Sequence, residues 1–109
     1  MKIHLIKEST IRNFVKDHAL SKSAFEEWIT NLHDSDWEKP TDIVQSFSSA
    51  DLLGKSSNRV IFDIGGNKYR IICKYGFGKK EVHLFIFWIG THNEYDKLCR
   101  KNKQYTIKM

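Results

Sequence analysis

The first half of the chain repeats its apolar residues with the period of a helix. After a short apolar run over residues 2–7, which predicts a strand, apolar side chains recur every three to four positions in two segments. The first segment begins after Ser9 or Thr10, either of which can cap a helix, and the second begins at Ser21. Their apolar positions are Ile11, Phe14, Val15, His18 and Ala19, and then Ala24, Phe25, Trp28, Ile29 and Leu32. The pattern predicts two helices joined at 20–22, an αα-hairpin whose apolar stripes belong to the core.

The second half changes to the pattern of strands. The runs RVIFDI, KYRIICKY and EVHLFIFWIG are rich in β-branched and aromatic residues. Gly65-Gly66-Asn67 separates the first two runs and is typical of a tight hairpin, because glycine tolerates positive φ. Residues 76–80 make a looser hairpin. We therefore predict an α+β fold: an antiparallel sheet made of a C-terminal three-strand meander plus the N-terminal strand, with the N-terminal α-helices packed on one face.

Three segments have weaker patterns. Residues 41–53, with Ile43, Val44, Phe47 and Leu52, suit either a short helix or an irregular packed segment, and residues 54–58 suit a turn. Residues 91–98 predict a closing helical turn. The basic tail beyond them is expected to fray, or to add an edge strand through Tyr105 and Ile107.

The distribution of charge points to a class of partner. The chain has 109 residues, 40% of them hydrophobic, and a formal net charge of +5, which fits one packed domain over 1–109 and excludes a wholly disordered chain. Residues 1–57 hold seven basic and nine acidic residues, whereas residues 58–109 hold eleven basic and four acidic ones. A basic second half suits a polyanion such as nucleic acid, although a solvated basic surface explains it equally well.

The sequence favours a cytoplasmic protein. Its longest apolar run, 84–90, has seven residues, whereas a membrane helix needs about 18 or more. The N-terminus lacks the apolar stretch of a signal peptide. Cys73 and Cys99 are too few for a disulfide scaffold or a zinc site, which favours two reduced thiols.

Strand alternation places three cations on one face of the second meander strand. Lys68, Arg70 and Lys74 share that face with Ile72, whereas the alternate residues point the other way. An ordinary solvated sheet face is the simplest explanation. Arg70, however, lies in mid-strand between apolar neighbours, so we expect it to be partly buried with its guanidinium in a groove. A planar guanidinium there can bind a phosphate through two hydrogen bonds.

A second group of polar residues, 90–97, follows the most apolar strand directly. His92 can exchange a proton near neutral pH, and Tyr95 follows one helical turn later. Each residue also has a structural explanation, His92 as a capping or surface histidine and Tyr95 as a core aromatic. The proximity of Arg70 on the adjacent strand makes a functional site an equally good interpretation. The other histidines show no metal-ligand spacing, and Gly65-Gly66 lies between strands rather than before a phosphate-binding helix.

Two segments resemble a known family. GGNKYRIICKY and EVHLFIFWIGTHNEYDKL resemble the HigB toxin family of type II toxin–antitoxin modules, through a GGN-x-x-R strand pair and a closing THxEYD segment. The resemblance extends more weakly over most of the chain. It implies the compact α+β fold of the RelE-like superfamily, which agrees with the predicted architecture.

The resemblance also implies a function and site residues. It implies a ribosome-dependent mRNA endoribonuclease, neutralised by a HigA-like antitoxin whose helix-turn-helix binds operator DNA. Arg70 corresponds to the superfamily's strand arginine near the scissile phosphate. His92 falls where many RelE-like toxins carry a basic residue or histidine, and Tyr95 falls near the C-terminal tyrosine.

The chemistry needs neither a metal nor a cofactor. The RNA 2′-hydroxyl can attack the adjacent phosphate if a base, an acid and a cation assist. We expect His92 to transfer a proton, Arg70 to stabilise the phosphate, and Tyr95 to orient or stack on a base or to assist proton transfer. Lys68 or Lys74 is expected to assist Arg70. The other cations are expected to bind the RNA backbone, and together with these two lysines they are Lys68, Lys74, Lys79, Lys80, Lys97, Arg100, Lys101 and Lys103.

Two alternatives stay open. A non-catalytic RNA-binding module would stack bases on Tyr69, Tyr75, Phe85 and Phe87. Phe85 and Phe87, however, lie in a nearly continuous apolar run, so we expect them to be mostly core. A degenerate toxin would bind only its antitoxin, but the retention of Arg70, His92 and Tyr95 argues against it.

Overall fold

Within residues 1–108, which the computed structural model describes, the chain has five strands and four α-helices. They are β1 (Lys2–Ile6), α1 (Ser9–Asp17), α2 (Lys22–His33), α3 (Pro40–Ser46), β2 (Asp51–Leu53), β3 (Arg59–Ile64), β4 (Tyr69–Phe77), β5 (Glu81–Thr91) and α4 (His92–Arg100). A 3₁₀ turn, Ala19–Ser21, joins α1 to α2, which confirms the predicted αα-hairpin. None of these helices is long and apolar enough to span a lipid bilayer.

All five strands form one sheet in the order β1-β5-β4-β3-β2. The antiparallel meander β3-β4-β5 is confirmed, and so is the place of the N-terminal strand in the same sheet. That strand, β1, lies parallel to β5, with Lys2 opposite Glu81 and Ile6 opposite Phe85. Parallel neighbours need a long connection, which the helices and the meander together provide.

The segment 41–53 contains the short helix that was one of its two predicted alternatives, and it ends in a strand that was not predicted. Helix α3 begins at Pro40, where the fixed φ of proline suits a first turn, and the Asp42 carboxylate accepts hydrogen bonds from the amides of Glu38 and Lys39 at 2.8 and 3.2 Å. β2 then pairs with β3 and becomes one edge of the sheet. This strand has only three residues, too few to show a period, and is therefore not predictable from the sequence pattern.

The face of the sheet covered by α1, α2 and α3, called the inner face here, carries the main core. The helix stripe is confirmed as core, with Phe25, Trp28 and Leu32 buried. Trp28 meets Phe62 of β3 edge to face, with the ring centroids 5.2 Å apart. Burial of each large apolar side chain contributes about 1.5–3 kcal/mol to the free energy of unfolding. Cys73 belongs to the same core, and its burial raises the pKa of the thiol, which makes the reactive thiolate scarce.

The opposite, outer face is partly covered by α4. The predicted closing turn is a longer helix, which runs through Arg100 and packs Leu98 against Ile61 and Ile72. The remaining helices lie on the inner face, as predicted. The outer face is therefore divided into a half beneath α4 and a half open to solvent.

A buried arginine holds the C-terminal tail on the outer face. Arg59 is only 6% exposed, and its Nη1 donates to the carbonyls of Gln104 and Ile107 at 3.2 and 2.7 Å. Burial lowers the pKa of Arg59, but a guanidinium remains charged. The tail therefore crosses the outer face as turns, and the alternative of an edge strand through Tyr105 and Ile107 is wrong.

Candidate functional site

Arg70 lies on the outer face near the start of β4, where the hairpin register places it opposite Asp63. The two side chains form an ion pair through Arg70 Nη1 and Asp63 Oδ1. Arg70 is partly buried as predicted, with 13% of its side chain exposed. A guanidinium has five N–H donors, and this ion pair engages Nη1 only. The remaining donors are suited to a second anion.

Tyr95 of α4 lies over Arg70. The guanidinium carbon is 5.6 Å from the centre of the Tyr95 ring, and Trp88 packs against the same ring with the centroids 6.1 Å apart. Burial, and next the neighbouring Cys99 thiol, raise the pKa of the Tyr95 hydroxyl. The phenol therefore stays protonated at neutral pH, which favours a role in orienting or stacking over a role as a base.

His92 is the first residue of α4 and forms a pair with a carboxylate on the same helix. Its Nε2 lies 3.2 Å from Asp96 Oδ2, at the i, i+4 spacing of neighbours on a helix face. Its Nδ1 is buried and has no hydrogen-bond partner among residues 1–108. A carboxylate beside an imidazole can fix the orientation of the ring, as the aspartate does in a catalytic triad.

A capping box fixes the start of α4. The Thr91 hydroxyl accepts from the Glu94 amide at 3.3 Å, and the Glu94 carboxylate accepts from the Thr91 amide at 2.8 Å. The His92 amide donates to the carbonyl of Lys68 at 3.0 Å, which ties the helix to the turn before β4. The T-x-x-E spacing therefore positions His92 and Tyr95 relative to Arg70. No hydrogen bond or ion pair joins His92 to Arg70 in the part of the chain that the structure describes.

Gly90 leaves the space that the Trp88 ring occupies beside Arg70. A Cβ at Gly90 would lie 2.6 Å from Cη2 and 2.7 Å from Cζ2 of Trp88. We expect Gly90→Ala to lower the free energy of unfolding by about 1–3 kcal/mol, because a rigid ring must move to make room. Urea unfolding checks this, with Gly76→Ala of β4 as the control, since nothing lies within 4 Å of the Cβ added there. Equal stability of the two variants would contradict the assigned packing.

The predicted RNA-binding cations fall into separate groups. Lys97, Lys101 and Lys103 line a cavity of about 390 Å³ beside Trp88, and Lys68 lies in the turn that contacts the start of α4. The other members lie elsewhere: Lys74 further along β4, Arg100 at the end of α4, and Lys79 and Lys80 in the β4–β5 loop. That loop follows Phe77, roughly 23 Å along β4 from Arg70. Lys79 and Lys80 are therefore not part of the cluster around Arg70.

Three features of this region were absent from the predicted site. Asp63 and Asp96 pair with Arg70 and His92, and the i, i+4 spacing was a signal for the second pair. Phe85, expected to be mostly core, is 36% exposed on the outer face.

Residues 1–108 contain no cluster of three or more His, Cys, Asp or Glu side chains that could hold a metal ion.

Comparisons with known proteins show what this chain is similar to. A family model described as "HigB_toxin, RelE-like toxic component of a toxin-antitoxin system" matches residues 21–98, a range that includes Arg70, His92 and Tyr95. The chain is also similar to the "mRNA interferase HigB" of Escherichia coli O6:H1 (strain CFT073). The two are 24% identical over 98 residues, which cover 90% of this chain and 93% of that protein.

Proposed function

The chain belongs to the HigB toxin family, the RelE-like toxic components of toxin–antitoxin systems, and we propose on this basis that it cleaves mRNA on the translating ribosome. As a toxin of such a system it has an antitoxin as partner and mRNA as target. The finer proposal is that cleavage occurs in the cytoplasm, depends on the ribosome, and is blocked by a HigA-like antitoxin.

The observation that carries the proposal is the position of Arg70. A partly buried guanidinium lies at the base of α4, with one donor nitrogen engaged by Asp63 and the ring of Tyr95 above it. Buried cations stabilise developing negative charge far better than solvated ones, because the surrounding dielectric is low. A phosphate that replaces or joins the Asp63 carboxylate would be held beside both Tyr95 and the start of α4.

The reaction that fits these groups is attack of the RNA 2′-hydroxyl on the adjacent phosphate. Arg70 stabilises the extra negative charge of the phosphorane. His92, paired with Asp96, transfers the proton of the 2′-hydroxyl or of the departing 5′-oxygen. Tyr95 orients a base or the phosphate. The products are then a 2′,3′-cyclic phosphate and a 5′-hydroxyl, and no step requires a metal ion.

A toxin that binds without cutting remains the second candidate, because Arg70 already has a carboxylate partner in Asp63. Such a protein would occupy the ribosome or the antitoxin but leave mRNA intact. Mapping of RNA ends separates the two candidates.

The test uses two reporter mRNAs that differ only in the presence of a start codon. After induced expression of the wild-type chain, we expect rapid translational arrest and new 5′-hydroxyl ends inside the translated reporter. The untranslated reporter should stay intact, because the proposal requires the ribosome. Sequencing of 5′ ends, with and without prior phosphorylation, measures both properties.

Each other outcome refutes a stated part of the proposal. Cuts in both reporters would refute ribosome dependence, and new ends that carry 5′-phosphates would refute attack by the 2′-hydroxyl. Arrest with intact mRNA would leave the toxin that only binds.

A further inference from the structure

The open half of the outer face holds a groove that the proposed cleavage site does not use. Its cavity has a volume of about 440 Å³, and Lys7, Lys74, Lys108, Phe85 and Phe87 line it. This volume lies within the range of about 300–1,000 Å³ typical of clefts that hold small molecules. We call it the Phe85 groove.

The charge of the groove has one sign. Lys7, Lys74 and Lys108 come from three separate elements, and none of the residues within 1–108 that line the groove is acidic. Lys7 has a φ of 67°, a left-handed conformation in which glycine or asparagine would be less strained. Within residues 1–108, a groove lined by three lysines and no carboxylate is complementary to an anion.

The aromatic side chains of the groove differ in what they already contact. The ring of Phe87 has Arg59 at 4.8 Å and Lys108 at 5.6 Å, so cations occupy its surroundings. Phe85 is 36% exposed, and its nearest aromatic neighbour is His83, with centroids 6.3 Å apart. His83 in turn contacts Glu81 at 3.1 Å at the beginning of β5, and neither of these two residues lines the groove. Phe85 therefore offers an open ring beside a basic cleft.

We propose that the Phe85 groove binds an unpaired nucleotide of a single-stranded RNA, with its base stacked on Phe85 and its phosphates at Lys7, Lys74 and Lys108. Exposed aromatic rings beside lysines are how proteins bind unpaired nucleotides without reading sequence. Lys74 and Arg70 lie on the same strand face, four residues or roughly 13 Å apart. The inference rests on the proposed function in one respect: the RNA bound in the groove is the strand cleaved at Arg70.

The test measures binding without cleavage. The probe is a short fluorescein-labelled single-stranded 2′-O-methyl RNA, which cannot be cut through its blocked 2′ oxygen, and fluorescence anisotropy of the isolated chain gives its affinity. Phe85→Leu is expected to weaken binding at least about fivefold, and Phe85→Tyr is expected to retain it. Lys74→Met should reduce the slope of log affinity against log salt by about 0.7, the value for one phosphate contact on a single strand.

The matched control is Lys16→Met, which removes the same charge from an exposed position on α1. Its affinity and salt slope should equal those of the wild type. Thermal unfolding of each variant shows whether the fold is retained. Retained binding by Phe85→Tyr would show that substitution at this position does not abolish binding by disrupting the fold.

The outcomes separate this inference from the proposed nuclease. Three results would each refute RNA binding in the Phe85 groove. The first is that Phe85→Leu binds the probe with wild-type affinity, and the second is that the wild type does not bind the probe. The third is that polyglutamate displaces the probe as readily as RNA does. If Phe85→Leu loses binding while the wild-type chain leaves reporter mRNA uncut, RNA binding in the groove is supported and the proposed mRNA cleavage is refuted. If the reporter is cleaved while Phe85→Leu binds the probe normally, the proposed mRNA cleavage is supported and RNA binding in the groove is refuted.

Discussion

Replacing Arg70 by alanine is expected to reduce mRNA cleavage about 100-fold or more, the loss typical of one preorganised charge at a reacting phosphate. This corresponds to about 2.7 kcal/mol of transition-state stabilisation. The effect should be large because the side chain of Arg70 is only 13% exposed and its guanidinium is already oriented by Asp63 and Tyr95. The measurement is the rate of cleavage of a programmed ribosome complex by the purified variant.

Two companion variants make the result specific. Arg70→Lys keeps the charge but loses the planar fork, and we expect it to stay well below wild-type cleavage. Arg12→Ala removes an exposed arginine from α1, 67% exposed and on the helical side of the molecule, and should cleave normally. Normal cleavage by Arg70→Ala would refute the assignment of the site.

His92→Ala has the second large expected effect, also about 100-fold, because proton transfer by a positioned side chain contributes typically 10²–10⁴-fold. The structure gives His92 the features of such a group: a carboxylate at 3.2 Å and a fixed place at the start of α4. The cleavage rate of the same ribosome complex is again the measurement. Substitution at His92 should leave the capping box of Thr91 and Glu94 intact, so helix α4 should still form.

The control for His92 is His33→Ala, which alters an exposed histidine at the end of α2. That variant should match the wild type. If His92→Ala cleaves at the wild-type rate while Arg70→Ala does not, the proton is transferred by another group, and His92 is only the first residue of a helix. Equal losses in the His33 and His92 variants would indicate a general effect on folding.

The residues that alternate with period two were predictable from the sequence. In β4 the positions of Ile71 and Cys73 on the inner face and of Arg70 and Lys74 on the outer face follow directly from alternation. The same is true of the apolar stripe of α2. In both cases a local period decides the outcome, because one face of the element is buried.

The partner of Arg70 was not predictable in this way, because it depends on the length of a turn. Taking the strand to resume directly after Gly65-Gly66-Asn67 gives a three-residue loop, which would place Asp63 opposite Tyr69. The loop in the structure has four residues, 65–68, and this shift of one position sets Asp63 opposite Arg70. A register change of one residue exchanges every cross-strand pair.

The exposure of Phe85 was not predictable from the sequence of β5, because it depends on how other elements pack on the outer face. An apolar run such as 84–90 looks uniformly buried, yet only one face of β5 lies against helices along its whole length. The outer face is covered by α4 and the tail at one end and is open at the other, so Phe85 and Leu84 differ although they are adjacent. Tertiary placement of α4 and Arg59 decides which aromatic residues of this strand meet solvent.

The parallel pair β1–β5 has a consequence for how the toxin is made. β1 comprises residues 2–6, and its neighbour in the sheet ends at residue 91 of a chain of 109 residues. Contacts so distant in sequence carry a large loop-closure entropy and form late in folding. The nascent polypeptide therefore cannot complete its sheet, or set α4 against Arg70, until β5 and α4 have left the exit tunnel. A nascent chain that has emerged only through β4 therefore has neither the complete sheet nor the group formed by Arg70, His92 and Tyr95.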